Sequence, residues 1–165
     1  MESRASRRGF LKTSATGAGL AGLSLALAAC GGGESAAPTP VASTGKTFEF
    51  EISADDNIQF SQVLLEVEAG SRVSVTLVNK STDKQFNWVL TRFGQMLRVV
   101  TEGNQAGESN GYLKPNDSNV IAHTRLLKAG ESETITFDAP PPGDYQFFST
   151  FPGYYTRLNG KLIVK

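Results

Sequence analysis

The sequence is poor in the residues from which most metal centres and disulfide frameworks are built. Its 165 residues include one cysteine, one histidine and two methionines, one of which is Met1. One cysteine cannot form a disulfide within the chain, and one cysteine with one histidine cannot supply the ligands of a structural zinc site. The composition therefore excludes a disulfide scaffold and a zinc cluster.

An excess of one charge and long apolar runs are also missing. Sixteen Lys and Arg residues balance sixteen Asp and Glu residues, so the formal net charge at pH 7 is zero. Because proteins that neutralise phosphates carry an excess of basic residues, we expect no nucleic-acid partner. No strongly apolar run of about 18 or more residues occurs away from the N-terminus, which excludes a polytopic membrane protein.

The first thirty residues have the pattern of an export signal. Arg7 and Arg8 precede a mildly apolar segment of small residues, 13–29, which ends in Leu27-Ala28-Ala29-Cys30. This pattern resembles a twin-arginine signal peptide, residues 1–29, followed by a lipoprotein cleavage site. Cleavage would make Cys30 a lipidated N-terminus that anchors the protein to the membrane, so it could not serve as a nucleophile or metal ligand. The alternatives are a short membrane anchor or a chance arginine pair.

The segment after the signal differs in composition from the rest of the chain. It is rich in Gly, Ser, Ala, Pro and Thr and shows no apolar periodicity, which is typical of a flexible tether. We therefore divide the chain into a signal peptide at 1–29, a lipidated cysteine and linker at 30–46, and one domain at 47–165. We expect this domain in the periplasm or at the outer face of the cytoplasmic membrane.

Short segments of alternating apolar and polar residues run through the domain. Val63, Leu65 and Val67 form one such set, and the same period of two occurs at 73–78, 134–138 and 161–165. Alternation over this length predicts half-buried β-strands with these apolar residues facing a core. Residues 95–112 interrupt the rhythm and are predicted to hold a short helix and a loop. The pattern favours an all-β sandwich with Greek-key connections.

Two long segments resemble the azurin and auracyanin branch of the cupredoxins, the small blue copper proteins. They are GYLKPNDSNVIAHTRL at residues 111–126 and FFSTFPGYYTRLNGKL at residues 147–162. In addition, Phe-Asn-Trp-Val-Leu at residues 86–90 stands where the family has His-Asn-Trp-Val-Leu. The resemblance extends from about Phe48 to Lys165. It implies a cupredoxin Greek-key β-sandwich and, in the family, electron transfer through copper.

The same resemblance implies that the copper ligands have been replaced. A blue copper site uses one thiolate, two imidazoles and a weak axial thioether. In azurins an early His precedes Cys-x4-His-x3-Met, and the corresponding positions here are Phe86, Ser149, Tyr154 and Leu158. Phe and Leu donate no electron pair, and neutral Ser and Tyr are poor ligands for a soft metal. We therefore predict no metal site and no cofactor.

The positions next to these replacements are unchanged. Asn87 and Thr150, which in the family help to join the ligand loops by hydrogen bonds, are present, as is the loop-shaping Pro152-Gly153. Phe86, Tyr154 and Leu158 are bulky enough to fill the volume of copper and two imidazoles. We interpret the chain as a maintained scaffold that has lost its metal function, with drift of an inactive paralogue as the alternative.

Three functions are compatible with this sequence, and we favour binding of a protein partner. The partner would belong to a membrane electron-transfer system, respiratory or photosynthetic. Its contact surface would comprise Phe151, Pro152, Tyr154 and Tyr155, because exposed aromatic residues are typical interface anchors. The alternative is an electron carrier of the azurin or auracyanin type whose copper is bound by an unforeseen ligand set that includes His123.

The third function is catalysis by a serine and a histidine. Ser149 carries the only hydroxyl at a position that resembles a site, and His123 is the only imidazole base. Such a pair needs hydrogen-bond contact, and the resemblance places the two residues apart. We therefore predict no catalytic residues and no enzymatic activity.

Overall fold

The structure is a computed structural model that describes residues 45–165. The predicted signal peptide, Cys30 and all but the last two residues of the predicted linker lie outside the described residues. The elements are β1 (Thr47–Ala54), β2 (Leu64–Val67), β3 (Arg72–Asn79), β4 (Val89–Arg92), α1 (Met96–Ala106), a 3-10 turn (Glu108–Asn110), β5 (Val120–His123), β6 (Ser132–Asp138), β7 (Gly143–Phe148) and β8 (Asn159–Val164). In this part of the chain no helix has the length and apolar character needed to cross a membrane.

The strands form two sheets that enclose one core. The first sheet has the order β1-β3-β6 and the second has the order β2-β8-β7-β4-β5. β1 pairs in parallel with β3, and β2 pairs in parallel with β8, while the other pairs are antiparallel. The sandwich predicted from the sequence is confirmed, and so are the strands predicted around residues 65, 75, 136 and 163 and the helix predicted within 95–112.

The core forms because alternate residues of both sheets point inward. Val73, Val75 and Leu77 of β3 are fully buried and belong to the same cluster as Leu162 and Val164 of β8. Side chains alternate between the two faces of a strand, so a period of two in the sequence gives one buried face.

The single tryptophan lies in the centre of this core. The Trp88 ring lies 5.4 Å from the Phe147 ring and 6.1 Å from the Phe137 ring, measured between centroids. Trp88 is fully buried, and its Nε1 has no hydrogen-bond partner within the described residues. Its fluorescence therefore reports on one apolar environment.

The prediction that Val63 faces the core, which was made from the alternation, is wrong. Val63 is 56% exposed, although it continues the pattern of Leu65 and Val67, which are buried. β2 begins only at Leu64, and it is an edge strand of its sheet. The pattern therefore extends one residue beyond the strand, to a position where no further strand covers the side chain.

Helix α1 covers the outer face of the five-stranded sheet at one end. Val99 and Val100 of the helix form a second apolar cluster with Val89, Leu113 and Phe148. The helix also packs very closely against the segment that follows it, because a Cβ on Gly103 would overlap the carbonyl oxygen of Tyr112. This contact fixes where the segment after α1 emerges at the end of the sandwich.

Candidate functional site

Three segments that are distant in the sequence meet at one end of the sandwich. They are Phe86 and Asn87 before β4, Gly111 and Tyr112 after α1, and the loop between β7 and β8. This end contains all four residues that the resemblance assigns to the copper-ligand positions. The Ser149 N–H donates to the Leu158 carbonyl (3.0 Å), the Leu158 N–H donates to the Tyr154 carbonyl (2.8 Å), and the Phe86 and Tyr154 ring centroids are 5.8 Å apart.

Asn87 joins the three segments through its side-chain amide. Its Nδ2 donates to Thr150 Oγ1 (2.7 Å) and to the Gly111 carbonyl (3.1 Å). Its Oδ1 accepts from the Thr150 N–H (2.8 Å) and from the Ser149 hydroxyl (3.1 Å). Asn87 is 1% exposed, and Ser149 and Thr150 are fully buried. Because buried polar groups need partners, this amide holds the end of the sandwich together.

The Ser149 hydroxyl is surrounded more loosely than an oxygen atom requires. The backbone N–H groups of Asn87 and Phe151 both point at Oγ, each with the nitrogen 3.4 Å away. Good N–H···O hydrogen bonds are about 2.7–3.2 Å long. An atom of larger radius, such as sulfur, would fill this space better. This spacing supports the assignment of residue 149 to the cysteine position.

The other three positions carry hydrophobic contacts. Phe86 and Leu158 are fully buried in the main core, and the Phe86 backbone pairs with that of Leu127. Tyr154 is half-buried and packs over Phe86. Residues 45–165 contain no group of three or more His, Cys, Asp or Glu side chains placed to hold a metal ion. The donor set at this end does not fit a blue copper centre, which needs thiolate and imidazole ligands.

Aromatic side chains form the surface above these residues. The rings of Phe151 and Tyr154 are 4.9 Å apart, and the ring of Tyr112 meets Phe151 edge-on at 5.3 Å. All three side chains are half-buried, and Pro152 beside them is exposed. We call Tyr112, Phe151, Pro152 and Tyr154 the aromatic surface.

The sequence-predicted surface differs from this one at two positions. Tyr155 follows Tyr154, but it packs against the second apolar cluster, with Val99 and Phe148. Tyr112 was missed, because nothing in the local sequence shows that its ring reaches Phe151. The only available signal was its place directly after Gly111 in a family motif.

His123 lies away from Ser149. It is exposed at the end of β5, and its Nδ1 contacts the Thr124 carbonyl at 3.1 Å. Val89 of β4 pairs with His123 on one side and with Phe148 on the other, so about two strand spacings, roughly 10 Å, separate His123 from the strand that leads to Ser149. Ser149 and His123 therefore do not form the hydrogen-bonded pair that nucleophilic catalysis needs.

One cation borders the aromatic surface without a carboxylate partner. Arg157 is exposed, donates to the Asn57 carbonyl (2.8 Å) and forms no ion pair with any residue of the described range. The loop that carries Asn57 is held by Asp56. The Asp56 carboxylate accepts a hydrogen bond from the Thr82 N–H and contacts Lys84. Both contacts stabilise the charged form, the Thr82 N–H more strongly, and so they lower the pKa of Asp56 below its ordinary value.

Comparison with known proteins gives the family of this domain. A family model described as copper binding proteins of the plastocyanin/azurin family matches residues 46–165. The chain belongs to this family. The resemblance seen in the sequence is thereby confirmed, and the family match spans the whole β-sandwich.

Individual members of the plastocyanin/azurin family are similar over most of their length. Auracyanin-A of Chloroflexus aurantiacus is 34% identical over 150 residues, which are 88% of this chain and 92% of that protein. Azurin of Pseudomonas aeruginosa is 36% identical over 123 residues, which are 70% and 83% of the two chains. Reduced auracyanin from Roseiflexus castenholzii has a TM-score of 0.69 and 34% identity, covering 73% of this chain and 99% of that one.

Proposed function

We propose that this protein is a metal-free member of the plastocyanin/azurin family that binds a protein partner through its aromatic surface. In this proposal the domain is exported and anchored by lipid on Cys30, at the outer face of the cytoplasmic membrane or in the periplasm. The observation that carries the proposal is the packing at the end of the sandwich. Phe86 and Leu158 fill the core there, and half-buried aromatic rings lie above them.

The loss of copper is supported by the chemistry of the replaced positions. Phe86 and Leu158 have no donor atoms, and the Ser149 hydroxyl already donates to Asn87. A metal would have to displace apolar packing and break a buried hydrogen bond without gaining a soft ligand. The end of the sandwich is built as protein core.

Partner binding is supported by the composition of the aromatic surface. Tyr, Phe and Pro side chains lie together on rigid loops, and aromatic residues are enriched at the centres of protein interfaces. Asn87 and its four hydrogen bonds hold the loops in one conformation. A preorganised surface loses less conformational entropy on binding than a flexible one. We propose a subunit of a membrane electron-transfer system as the partner.

Photo-crosslinking tests partner binding on the full-length protein. A photoreactive phenylalanine analogue replaces Pro152 at the aromatic surface or, as a control, the exposed Glu49 on β1. Membrane vesicles from the source organism lacking its own copy of this protein serve as the probe. We expect one cross-linked membrane protein that forms from residue 152 and not from residue 49. No product, or the same products from both positions, would contradict partner binding.

Export and anchoring are tested separately. If the twin-arginine signal is used, replacing Arg7 and Arg8 together by lysine should leave precursor in the cytoplasm, and Cys30→Ala should release the exported domain from membranes. Normal export of the double variant would refute the proposed route. Membrane retention of Cys30→Ala would refute the proposed anchor.

Electron transfer through copper is the second candidate, and the family favours it. A related solved structure, Auracyanin A of Chloroflexus aurantiacus, is described as a "blue" copper protein and shares 33% identity and a TM-score of 0.69 with this chain. Loading the purified protein with copper, followed by metal analysis and a visible spectrum, separates the two candidates. We expect no tightly held copper and no blue colour. One copper per chain would mean that other ligands, among them His123, bind it.

A further inference from the structure

The chain enters the sandwich at the end opposite to the aromatic surface. β8 runs away from the candidate site and ends next to Lys165, whose carbonyl accepts from the Ala69 N–H (2.9 Å). Shortly after Ala69, Arg72 begins β3 and pairs with Thr47, the first residue of β1. At the same place the Arg72 N–H donates to the Lys46 carbonyl (2.8 Å). The segment that precedes the domain therefore leaves it at this end, which we call the tether end.

Two exposed apolar side chains flank a turn at the tether end. The turn joins β4 to α1, and in it the Phe93 N–H donates to the Asp144 carbonyl (3.4 Å). Asp144 of β7 pairs with Ile163 near the end of β8, which places the turn at the tether end. Phe93 is 55% exposed, and Leu97 in the first turn of α1 is 62% exposed. We call residues 93–97 the exposed turn.

Two cations without carboxylate partners lie beside the exposed turn. The Lys161 Nζ is 5.2 Å from the centroid of the Phe93 ring, close enough for a cation–π contact. Arg92 precedes Phe93 and is exposed, and neither Arg92 nor Lys161 forms an ion pair with any residue of the range 45–165. The exposed Asp144 offsets one of these two charges. Aromatic rings with basic side chains beside them are typical of the boundary between lipid headgroups and acyl chains.

The number of residues between Cys30 and the domain limits which end of the sandwich can reach a membrane. Sixteen residues separate Cys30 from Thr47. A Gly- and Ser-rich chain of this length has a root-mean-square end-to-end distance of about 20–24 Å. β1 has eight residues and extends about 26 Å from the tether end toward the opposite end. A domain that is anchored through Cys30 therefore brings its tether end to the bilayer more readily than its aromatic surface.

We infer, on the basis of the proposed lipid anchor, that the exposed turn lies on the anionic phospholipid surface of the membrane that holds Cys30. Phe93 and Leu97 enter the boundary between headgroups and acyl chains. Arg92 and Lys161 contact lipid phosphates. Each contact is weak by itself, but the anchor gives the turn a high effective concentration of lipid. The aromatic surface then faces away from the membrane, where a partner has access to it.

Quenching by brominated lipid tests this contact on the full-length protein. The protein is purified in detergent and reconstituted into vesicles of phosphatidylglycerol and phosphatidylcholine, the latter with plain or brominated acyl chains. Phe93→Trp places an indole in the exposed turn, and Pro152→Trp places one at the opposite end. The wild type gives the background, because Trp88 is fully buried. We expect bromine to lower the emission of the variant at position 93 and to leave that of the wild type and of the variant at position 152 unchanged.

A charged substitution tests the apolar part of the contact. In the Phe93→Trp variant, Leu97→Glu should remove most of the quenching, because a carboxylate is excluded from the apolar part of the bilayer. Val63→Glu is the matched control: Val63 is 56% exposed and precedes the edge strand β2, so this change should leave the quenching unchanged. Vesicles without phosphatidylglycerol should show less quenching, because the cations lose their attraction to the surface. Quenching that survives both Leu97→Glu and the removal of phosphatidylglycerol would overturn the inference.

Vesicle flotation and the mass of the purified protein separate this inference from the proposed anchor. If the protein carries lipid on Cys30 and floats, but the tryptophan at position 93 is not quenched, the anchor stands and the inference is wrong. Quenching at position 152 in place of position 93 would overturn it too, since the aromatic surface would then face the lipid. A blue shift at position 93 that follows protein density and not bromine would mean that a second copy covers the turn. If the protein carries no lipid, the anchor fails, and the inference fails with it.

Discussion

Replacing Asn87 by alanine removes four hydrogen bonds at the point where three segments meet. The Thr150 N–H, the Thr150 and Ser149 hydroxyls and the Gly111 carbonyl all lose their bonds to this side chain. A buried polar group left without a partner costs about 1–3 kcal/mol. The hydroxyls can rotate toward other partners, whereas the Thr150 N–H and the Gly111 carbonyl cannot. Two groups left without a partner give an expected loss of about 2–6 kcal/mol in the free energy of unfolding.

The single buried tryptophan provides the assay. Urea unfolding followed by Trp88 emission reports on the core alone, because Trp88 is fully buried and is the only tryptophan of the chain. The shift in midpoint multiplied by the slope gives the change in free energy. Asn104→Ala is the matched control: Asn104 is exposed in α1, and its variant should change stability by no more than about 0.5 kcal/mol. A loss below about 1 kcal/mol for Asn87→Ala would refute the role assigned to this amide.

The isosteric variant Asn87→Asp tests whether the side chain of residue 87 is buried. Asn87→Asp keeps the shape but turns a carboxylate oxygen toward the Gly111 carbonyl and Thr150 Oγ1 in a buried site. Burial penalises the charged form, so the pKa of this carboxyl should be higher in the folded than in the unfolded state. Stability is then greatest below the unfolded pKa and falls as pH rises through the folded pKa. The urea midpoint of this variant should therefore increase on acidification relative to the wild type, and an unchanged difference would contradict the buried geometry.

Four further predictions address the packing, the acid stability and the lost metal site. Tyr154→Ala should lower stability by about 1–3 kcal/mol in the same urea assay, less than for a fully buried ring, because Tyr154 is half-buried; a neutral result would mean that its ring does not support Phe86. Gly160→Ala should lower the melting temperature more than Gly130→Ala, since its Cβ would overlap the Phe147 ring and lie 2.6 Å from the Val63 carbonyl oxygen. At Gly130 there is open space, so a Cβ there meets only the backbone strain of a φ of 77°; the reverse order would contradict the close packing at Gly160. The pKa of Asp56 is lowered in the folded state, so its stabilising contribution is present above the unfolded pKa and is lost as pH falls through the folded pKa. Asp56→Asn should therefore make stability depend less on pH on the acid side. A pH profile identical to that of the wild type would argue against the Thr82 contact. Finally, a combined variant restores the ligand types at the four positions; it carries Phe86→His, Ser149→Cys, Tyr154→His and Leu158→Met. This variant should turn blue when copper is added, and a folded but colourless protein would refute the assignment of ligand positions.

The elements whose signals are local could be predicted from the amino-acid sequence. The period of two around Val75 and Leu162 predicted strands, because adjacent side chains of a strand point to opposite faces whatever the rest of the fold does. The interruption at residues 95–112 predicted the helix, and the long motifs predicted the family. The replacement of thiolate and imidazole side chains at the positions that the motifs assign to ligands is also read directly from residue types.

The set of side chains that share the candidate site depends on the folded arrangement of distant segments. Asn87 and Thr150 are 63 residues apart, and their hydrogen bonds exist only because the sandwich brings β4 and the β7–β8 loop together. Tyr112 joins the aromatic surface because α1 packs against it at Gly103, whereas Tyr155 turns toward the helix cluster. The Arg157 side chain likewise reaches the Asn57 carbonyl, 100 residues earlier in the sequence. Such contacts depend on the mutual placement of distant segments, which the pattern of residues within any one segment does not contain.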